Sequence, residues 1–343
     1  MSAAPILQIS PLGFPWETID PFLFCDYHDD AYPRGNAQFG PDASLAGRKL
    51  GEDFAGKDGW RMYHGLQVPG SVAPAPRIRD RDDRSQGTDR PFRFARRRSP
   101  LRRRRCSMAD RRPRDRACRD VPSARPRGTQ PLELFQIWLN LPARSKFVPP
   151  HFTMFWAEQI PQHVSDGMQL ACIAGRYADA GTPLAPLAPP PDSYASQAES
   201  DLAIWTLRMA PGARWTLPAA SGNNTRRKLY FFKGTSVAIG GQSIDSAAAI
   251  ELRANADVEL VKGPAPSEFL MLQGKPIGEP VAQYGPFVMN TEQELKQAYA
   301  DYRRTEYGGW PWPDSAPVHG SARERFARHA DGRTETWPAH RRP

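Results

Sequence analysis

The cysteines of this chain are spaced too irregularly to form a metal-ligand motif. Cys25 and Cys172 are isolated in the sequence, whereas Cys106 and Cys118 lie in one arginine-rich segment. This distribution does not predict a disulfide framework and favours a reducing cytoplasm. Cys118 lies two residues before Asp120, but two ligands without a histidine do not predict a stable metal site.

The seven histidines form no ligand cluster either. His28 and His64 lie beside short aromatic stretches, where a histidine is more often a hydrogen-bonded structural residue than a ligand. No histidine occurs between His163 and His319, so the C-terminal half offers no set of imidazoles. From these residues we assign no catalytic, cofactor-binding or metal-binding position.

Segment 73–130 accounts for the basic character of the chain. It contains 20 Arg and 7 Asp with no Lys, a net charge of +13, whereas the whole chain carries +9. No periodic apolar pattern runs through it, so we expect an irregular, disordered segment. One interpretation is an arginine-rich arm that binds nucleic-acid phosphates nonspecifically and with a steep salt dependence.

Outside this segment, length and composition indicate two β-rich domains. A chain of 343 residues with 40% hydrophobic residues can build two cores, and 36 Pro with 27 Gly favour turns and short strands. The N-terminal sequence lacks a basic region followed by an apolar core, and no apolar run approaches the roughly 20 residues of a membrane helix. We expect a monomeric cytoplasmic protein without a membrane segment.

Strand patterns occur on both sides of the arginine-rich segment. Residues 22–24 predict a short apolar strand that is closed by turn chemistry at Asp29-Asp30 and Pro33-Arg34-Gly35. Residues 132–139 are dense in β-forming residues and predict a central strand. Several short strands between 201 and 289, two of them around Gly234, indicate a sandwich or barrel.

One helix is predicted near the C-terminus. Thr291 and Glu294 match a capping box at its start, and Gly308 follows its end. The apolar face of this helix carries Leu295, Ala298, Tyr299 and Tyr302. The arginine- and histidine-rich residues beyond it predict a flexible terminus.

Several stretches of the chain together resemble the pirin family. They read PWETIDPFLFC, HDDAYPRGN, PLELFQIWLNLPARSKFVPPHFTMFW, YGPFVMNT and YGGWPWP, and the resemblance covers nearly all of the chain outside 73–130. It implies an all-β bicupin, two cupin-type β-barrels with a C-terminal helix. We expect an N-terminal pirin/cupin domain over 1–165, with its barrel disrupted by 73–130. A C-terminal pirin/cupin domain over 166–290 and a helix and tail over 291–343 complete the expected division.

The resemblance also implies a mononuclear iron in the N-terminal barrel, bound by three His and one Glu. The family ligands occur as an H-x-H pair in the sequence HPHRGFET and an H-x-E pair in VHAEM or VHSEM. Both members of such a pair point to the same side of a strand, because side chains alternate with period two. Neither motif is present in this chain, and both would fall within 73–130.

A shifted reading frame explains the missing motifs. The observed residues 73–80 can be encoded as GCA CCC GCA CCG CGG ATT CGA GAC, and without the first base the same string reads HPHRGFET. With synonymous codons chosen to suit the family, the shifted frame continues without conflict to VHAEM and then joins residue 131 in frame. Methionine has a single codon, so Met108 followed by Ala109 forces a tryptophan codon in the shifted frame, as the family pattern requires. We favour this interpretation over a nucleic-acid arm.

The shifted frame predicts a chain without its metal site. Its four ligand codons would span Ala73/Pro74, Ala75/Pro76, Ala117/Cys118 and Arg119/Asp120, and none of these pairs supplies His or Glu. The family activity implied is an iron-dependent dioxygenase of the quercetin 2,3-dioxygenase type, acting on a small flavonoid-like aromatic substrate. We predict that this chain binds no stoichiometric iron and is inactive. The alternatives are a non-enzymatic co-regulator that binds a protein partner and nonspecific nucleic-acid binding.

Overall fold

The computed structural model describes residues 4–33, 41–48, 53, 56–61, 92–96, 105–110, 130–148, 151–178, 183–305, 325–329 and 332–337. The first eight strands are β1 (Ile6–Pro11), β2 (Phe22–Tyr32), β3 (Phe92–Arg96), β4 (Arg105–Asp110), β5 (Gln130–Leu139), β6 (His151–Trp156), β7 (Gln162–Ser165) and β8 (Met168–Ala174). Short 3-10 helices cover Ala143–Ser145, Tyr194–Ser196 and Ala198–Ser200.

The remaining elements follow in the C-terminal half. They are β9 (Ala203–Met209), β10 (Arg214–Leu217), β11 (Arg226–Lys233), β12 (Val237–Ile239), β13 (Gln242–Ile244), β14 (Ala248–Leu252), β15 (Val258–Lys262), β16 (Ser267–Gly274), β17 (Ala282–Tyr284), β18 (Phe287–Met289), α1 (Glu292–Thr305), β19 (Arg325–Arg328) and β20 (Thr334–Trp337).

Two facing sheets build the C-terminal unit. A seven-stranded sheet in the order β1-β14-β11-β16-β9-β8-β7 faces a four-stranded sheet in the order β10-β15-β12-β13. Apolar side chains from both sheets meet in one buried core, which includes Trp205, Trp215, Leu229, Phe231 and Met271. The expected cupin-type architecture is confirmed, with the two sheets hydrogen-bonded separately.

A third sheet covers the outer face of the seven-stranded sheet. It has the order β2-β5-β3-β4-β6 and is called the N-terminal sheet here. Its residues Phe135 and Ile137 pack with Ile204, Tyr230 and Leu270 of the seven-stranded sheet, and we call this buried contact the interface layer. Strand β9 is therefore buried on both faces, which explains the irregular alternation of its sequence.

The chain crosses between these units more than once. Strand β1 pairs antiparallel with β14, and β7 pairs with β8 in the same seven-stranded sheet. Residues 6–11 and 162–165 therefore belong to the sheet built mainly by the C-terminal half, although both lie within 1–165. The division into domains at 165 and 290 remains a proposal.

Segment 73–130 contains two strands, so the expectation of an irregular segment is wrong for these eleven residues. Strand β3 pairs with the central strand β5, with Phe94 opposite Phe135. Phe92 and Phe94 alternate with Arg93, a period-two pattern that the high charge conceals. The other residues of 73–129 lie outside the described residues.

Strand β2 is longer than the sequence predicts. Asp29 and Asp30 were expected to form a turn, yet both lie within β2, opposite Glu133 and Leu132. Turn chemistry is overridden here because each carboxylate has a cationic partner in the folded chain: Lys233 for Asp29 and Arg61 for Asp30.

The C-terminal residues also differ from the expected flexible terminus. Strands β19 and β20 form an antiparallel hairpin, and Gly332 lies in its turn with φ 88°. Ala327 of the hairpin packs against Phe152 and Trp156 of β6.

The helix and its cap are confirmed. The Thr291 hydroxyl accepts a hydrogen bond from the Glu294 amide at 3.2 Å, and the Glu294 carboxylate accepts one from the Thr291 amide at 2.9 Å. The helix then packs Leu295, Ala298 and Tyr302 against Phe287 of the β17–β18 hairpin.

The capping box yields the first prediction. We expect Thr291→Ala to lower the free energy of unfolding by about 1 kcal/mol, because it leaves the Glu294 amide without its acceptor. Gln293→Ala, an exposed change in the same turn, is the matched control and should stay within about 0.5 kcal/mol of the parent. Urea denaturation measures both. Equal effects of the two substitutions would contradict the cap.

Candidate functional site

The face of the N-terminal sheet that points away from the interface layer carries several polar residues. Asp26, His28 and Asp30 alternate along β2 and therefore share one face. In the register of β2 and β5, Asp26 lies opposite Gln136 and His28 opposite Leu134. We call Asp26, His28, Asp30 and Gln136 the polar face.

His28 is held as a structural residue on this face. Its side chain is 1% exposed, and its Nδ1 lies 3.6 Å from Asp30 Oδ2. The other oxygen of Asp30 accepts a hydrogen bond from Arg61 Nη1 at 2.9 Å. Phe14 packs edge-on against the imidazole, with 5.6 Å between ring centroids. Asp30 therefore forms its hydrogen bond with the Arg61 guanidinium and lies beside the buried imidazole.

The polar face does not fit a metal ion. Among the residues that the structure describes, no three histidine, cysteine, aspartate or glutamate side chains are grouped so that they could hold one. His28 is the imidazole of the polar face, and its Nδ1 side is directed towards Asp30. Gln136 Oε1 is buried and has no hydrogen bond from another described residue, yet an amide oxygen suits hard cations rather than an imidazole-bound transition metal.

The positions that would carry the family ligands lie elsewhere. Ala73/Pro74, Ala75/Pro76, Ala117/Cys118 and Arg119/Asp120 are all outside the described residues, as are His64 and the Cys118–Asp120 pair. The prediction that no residue of this chain forms a metal, cofactor-binding or catalytic site therefore remains a prediction.

The core of the C-terminal unit is filled by side chains. Phe231 and Phe269 stack at 5.2 Å between ring centroids. At one end Trp215 Nε1 donates a hydrogen bond to the Tyr177 hydroxyl at 3.2 Å. The side chains of this core are apolar and aromatic, and residues 164–318 contain no histidine. This core therefore serves packing rather than imidazole chemistry.

Cys25 and Cys172 are buried and free. Burial raises the pKa of the Cys172 thiol to about 12, against smaller opposing effects of its hydrogen bonds. Burial, and then the charge of Asp26, also raise the pKa of Cys25 well above its ordinary value. Both thiols are therefore protonated at neutral pH and are poor nucleophiles.

Sequence reasoning missed the residues that join the two halves. The Lys233 ammonium lies 2.5 Å from Glu133 Oε1 and 3.2 Å from Asp29 Oδ2. No local pattern predicts this contact, because Lys233 is 100 residues from Glu133. The alternation of Asp26, His28 and Asp30, in contrast, is visible in the printed sequence and could have extended β2.

Comparison with known proteins places the chain among cupins. Residues 204–308 match the family described as the pirin C-terminal cupin domain. A protein of Pseudomonas aeruginosa, provisionally named a quercetin 2,3-dioxygenase, is 32% identical over 171 residues, 49% of this chain and 57% of that protein. Human pirin is 30% identical over 188 residues, 53% of this chain and 60% of its own length.

The fold comparison covers more of the chain. A crystal structure titled quercetin 2,3-dioxygenase from Acinetobacter baumannii superposes with a TM-score of 0.54 at 18% identity, over 90% of this chain and 98% of that one. At this identity the likeness shows the fold. The chain spans less than two thirds of the length of the curated relatives it matches. Among the described residues, no helix is long and apolar enough to cross a membrane.

The buried thiols yield the second prediction. We expect iodoacetamide at pH 8 to leave Cys172 and Cys25 unmodified in the folded chain, because an acid with a raised pKa keeps its proton and only the thiolate reacts. For Cys172 this protection should last until the pH approaches about 12. Peptide mass spectrometry reads the modification, with the urea-unfolded chain as the control. Labelling of Cys172 in the folded chain as fast as in urea would contradict it.

Proposed function

This chain belongs to the pirin family, and we propose that it descends from an iron-dependent cupin dioxygenase whose metal site it has lost. The observation that carries the proposal is the absence of both the H-x-H and the H-x-E motif from the sequence. The place where both would fall is the segment of net charge +13, which a shifted frame can convert into the family motifs when synonymous codons are chosen to suit the family.

The described structure supports this proposal in the N-terminal sheet. Asp30 is engaged by His28 and Arg61, so the polar face offers no preorganised set of imidazoles and carboxylates. Metal affinity depends on the number and geometry of ligands fixed in advance, and neighbouring groups only orient ligands that exist. Because these residues do not fit the metal, we derive no reaction step from them.

The fold around the lost site is retained in this proposal. The interface-layer residues lie outside 73–130, so a change of frame within that segment leaves the contact between the two halves unaltered. The small aromatic substrate and the protein partner considered from the sequence remain candidates for intact relatives. We also propose a reducing, cytoplasmic location, supported by the free Cys25 and Cys172.

Iron content gives the third prediction. We expect the purified chain to hold far less than one iron per molecule and to show no oxygen uptake with quercetin, because a water-exposed iron with few protein ligands exchanges freely. A gene with the frame restored across codons 73–130 should regain about one iron per chain and oxygen uptake. Elemental analysis and an oxygen electrode measure the two.

The restored gene with both histidines of its H-x-H pair changed to alanine is the matched control, and it should lose iron again. Circular dichroism and gel filtration of all three proteins establish that they fold. Stoichiometric iron in the chain as written would overturn the proposal. So would a restored, folded chain that binds no iron.

A second candidate function rests on the charge of segment 73–130. Twenty arginines without lysine attract phosphates, and contacts to phosphates carry no sequence information, so we expect binding to nucleic acid that is independent of sequence. This function requires no metal and no cupin chemistry.

Salt dependence gives the fourth prediction. We expect the affinity for a 30-base-pair duplex to fall about a thousandfold between roughly 50 and 200 mM salt, because bound arginines release condensed counterions. Fluorescence anisotropy with two unrelated duplexes measures this, and a variant lacking 97–105 is the control. Sub-micromolar binding that persists at roughly 0.2 M salt and distinguishes the two duplexes would instead favour a dedicated nucleic-acid arm.

A further inference from the structure

One lysine joins the C-terminal unit to the N-terminal sheet. Lys233 is the last residue of β11, and its ammonium reaches Glu133 Oε1 on β5 at 2.5 Å and Asp29 Oδ2 on β2 at 3.2 Å. The Tyr27 hydroxyl donates a hydrogen bond to the same Glu133 oxygen at 2.8 Å. We call Tyr27, Asp29, Glu133 and Lys233 the interface clasp.

An irregularity in β11 directs Lys233 to the interface. Leu229 and Phe231 point into the apolar core of the C-terminal unit, so strict alternation would send Lys233 there too. The pairing of β11 with β16 shifts between Phe231 and Lys233, and this bulge frees the ammonium from the core.

Gly234 makes the bulge sterically feasible. Its φ is +132°, and a Cβ at this position would lie 2.0 Å from Ser267 Oγ and 2.7 Å from the Phe231 ring. A side chain is therefore excluded both by backbone conformation and by space. The bulge over Phe231–Gly234 therefore places the lysine side chain outside the core of the C-terminal unit.

The Glu133 carboxylate of the clasp is buried. The Glu133 side chain is 3% exposed, whereas Lys233 and Asp29 are 23% and 26% exposed. Tyr27 stacks on Phe135 at 4.9 Å and packs against Trp16 at 5.4 Å, at the margin of the interface layer. A buried carboxylate that loses its cation is strongly destabilising, so this contact favours one relative position of the two units.

We propose that the interface clasp fixes the position of the N-terminal sheet on the C-terminal unit. Glu133 and Asp29 lie on the paired strands β5 and β2, and β5 also pairs with β3 of segment 73–130. The apolar layer favours contact between the sheets without fixing their alignment, since hydrophobic burial is non-directional. The ion pair fixes this alignment, because Lys233 reaches Glu133 in only one relative position of the two sheets.

Hydrogen exchange of the full chain tests the proposal. Lys233→Met should raise the exchange rate of β2 and β5 amides about tenfold or more, because the buried Glu133 then loses the Lys233 cation. Exchange in β9 and β16 should be unchanged. Adding Glu133→Gln to Lys233→Met should return much of the protection, because the carboxylate that lost its cation is removed. Lys233→Arg should keep the protection of β2 and β5.

Arg226→Met is the matched control. Arg226 lies on the same strand and pairs with Glu251 at 2.7 Å, but that pair stays within the seven-stranded sheet. The Arg226→Met variant should exchange its β2 and β5 amides at the same rates as the parent. Parent-like protection of β2 and β5 in Lys233→Met would overturn the proposal. Equal acceleration in β9 and β16 would also overturn it, since Lys233 would then serve the C-terminal unit itself.

Discussion

The interface layer is the contact on which the rest of the structure depends. The seven-stranded sheet is apolar on both faces: Leu229 and Phe231 enter the core of the C-terminal unit, and Tyr230 points the opposite way. Burying one such side chain contributes about 1.5–3 kcal/mol, more than an average partly exposed ion pair. The layer therefore drives association of the N-terminal sheet, and the interface clasp orients it.

This constraint also limits where chemistry can occur. The core of the C-terminal unit is filled, and the interface layer is packed with apolar side chains such as Phe135 and Leu270. The opposite face of the N-terminal sheet carries the polar face beside apolar side chains such as Leu132 and Leu134, and segment 73–130 supplies two strands, β3 and β4, to this sheet. The frame shift proposed for that segment would alter none of the residues of the interface layer, because they lie outside 73–130.

Local patterns in the sequence predicted the elements whose geometry is local. The capping box at Thr291 needs only neighbouring residues. The pairing of β1 with β14 and the Lys233–Glu133 contact join residues far apart, so no window of sequence contains them.

The same distinction explains what was wrong or missed in the N-terminal half. Asp29 and Asp30 favour a turn in isolation, and their cationic partners Lys233 and Arg61 override that preference only in the folded chain. The charge of 73–130 concealed the alternation in β3. The lack of a metal site was predicted from the absence of the family motifs. The polar face could not be predicted, because it depends on β2 extending through Asp30.

The nucleotide sequence across codons 73–130 tests the loss of the site most directly. A shift of one base predicts that the displaced frame reads HPHRGFET from the first codon of the segment, VHAEM or VHSEM near codon 118, and no stop codon before the frames rejoin at Pro131. A displaced frame that contains stop codons, or that encodes neither motif, would contradict the shift and leave the arginine-rich segment as a feature of the protein itself.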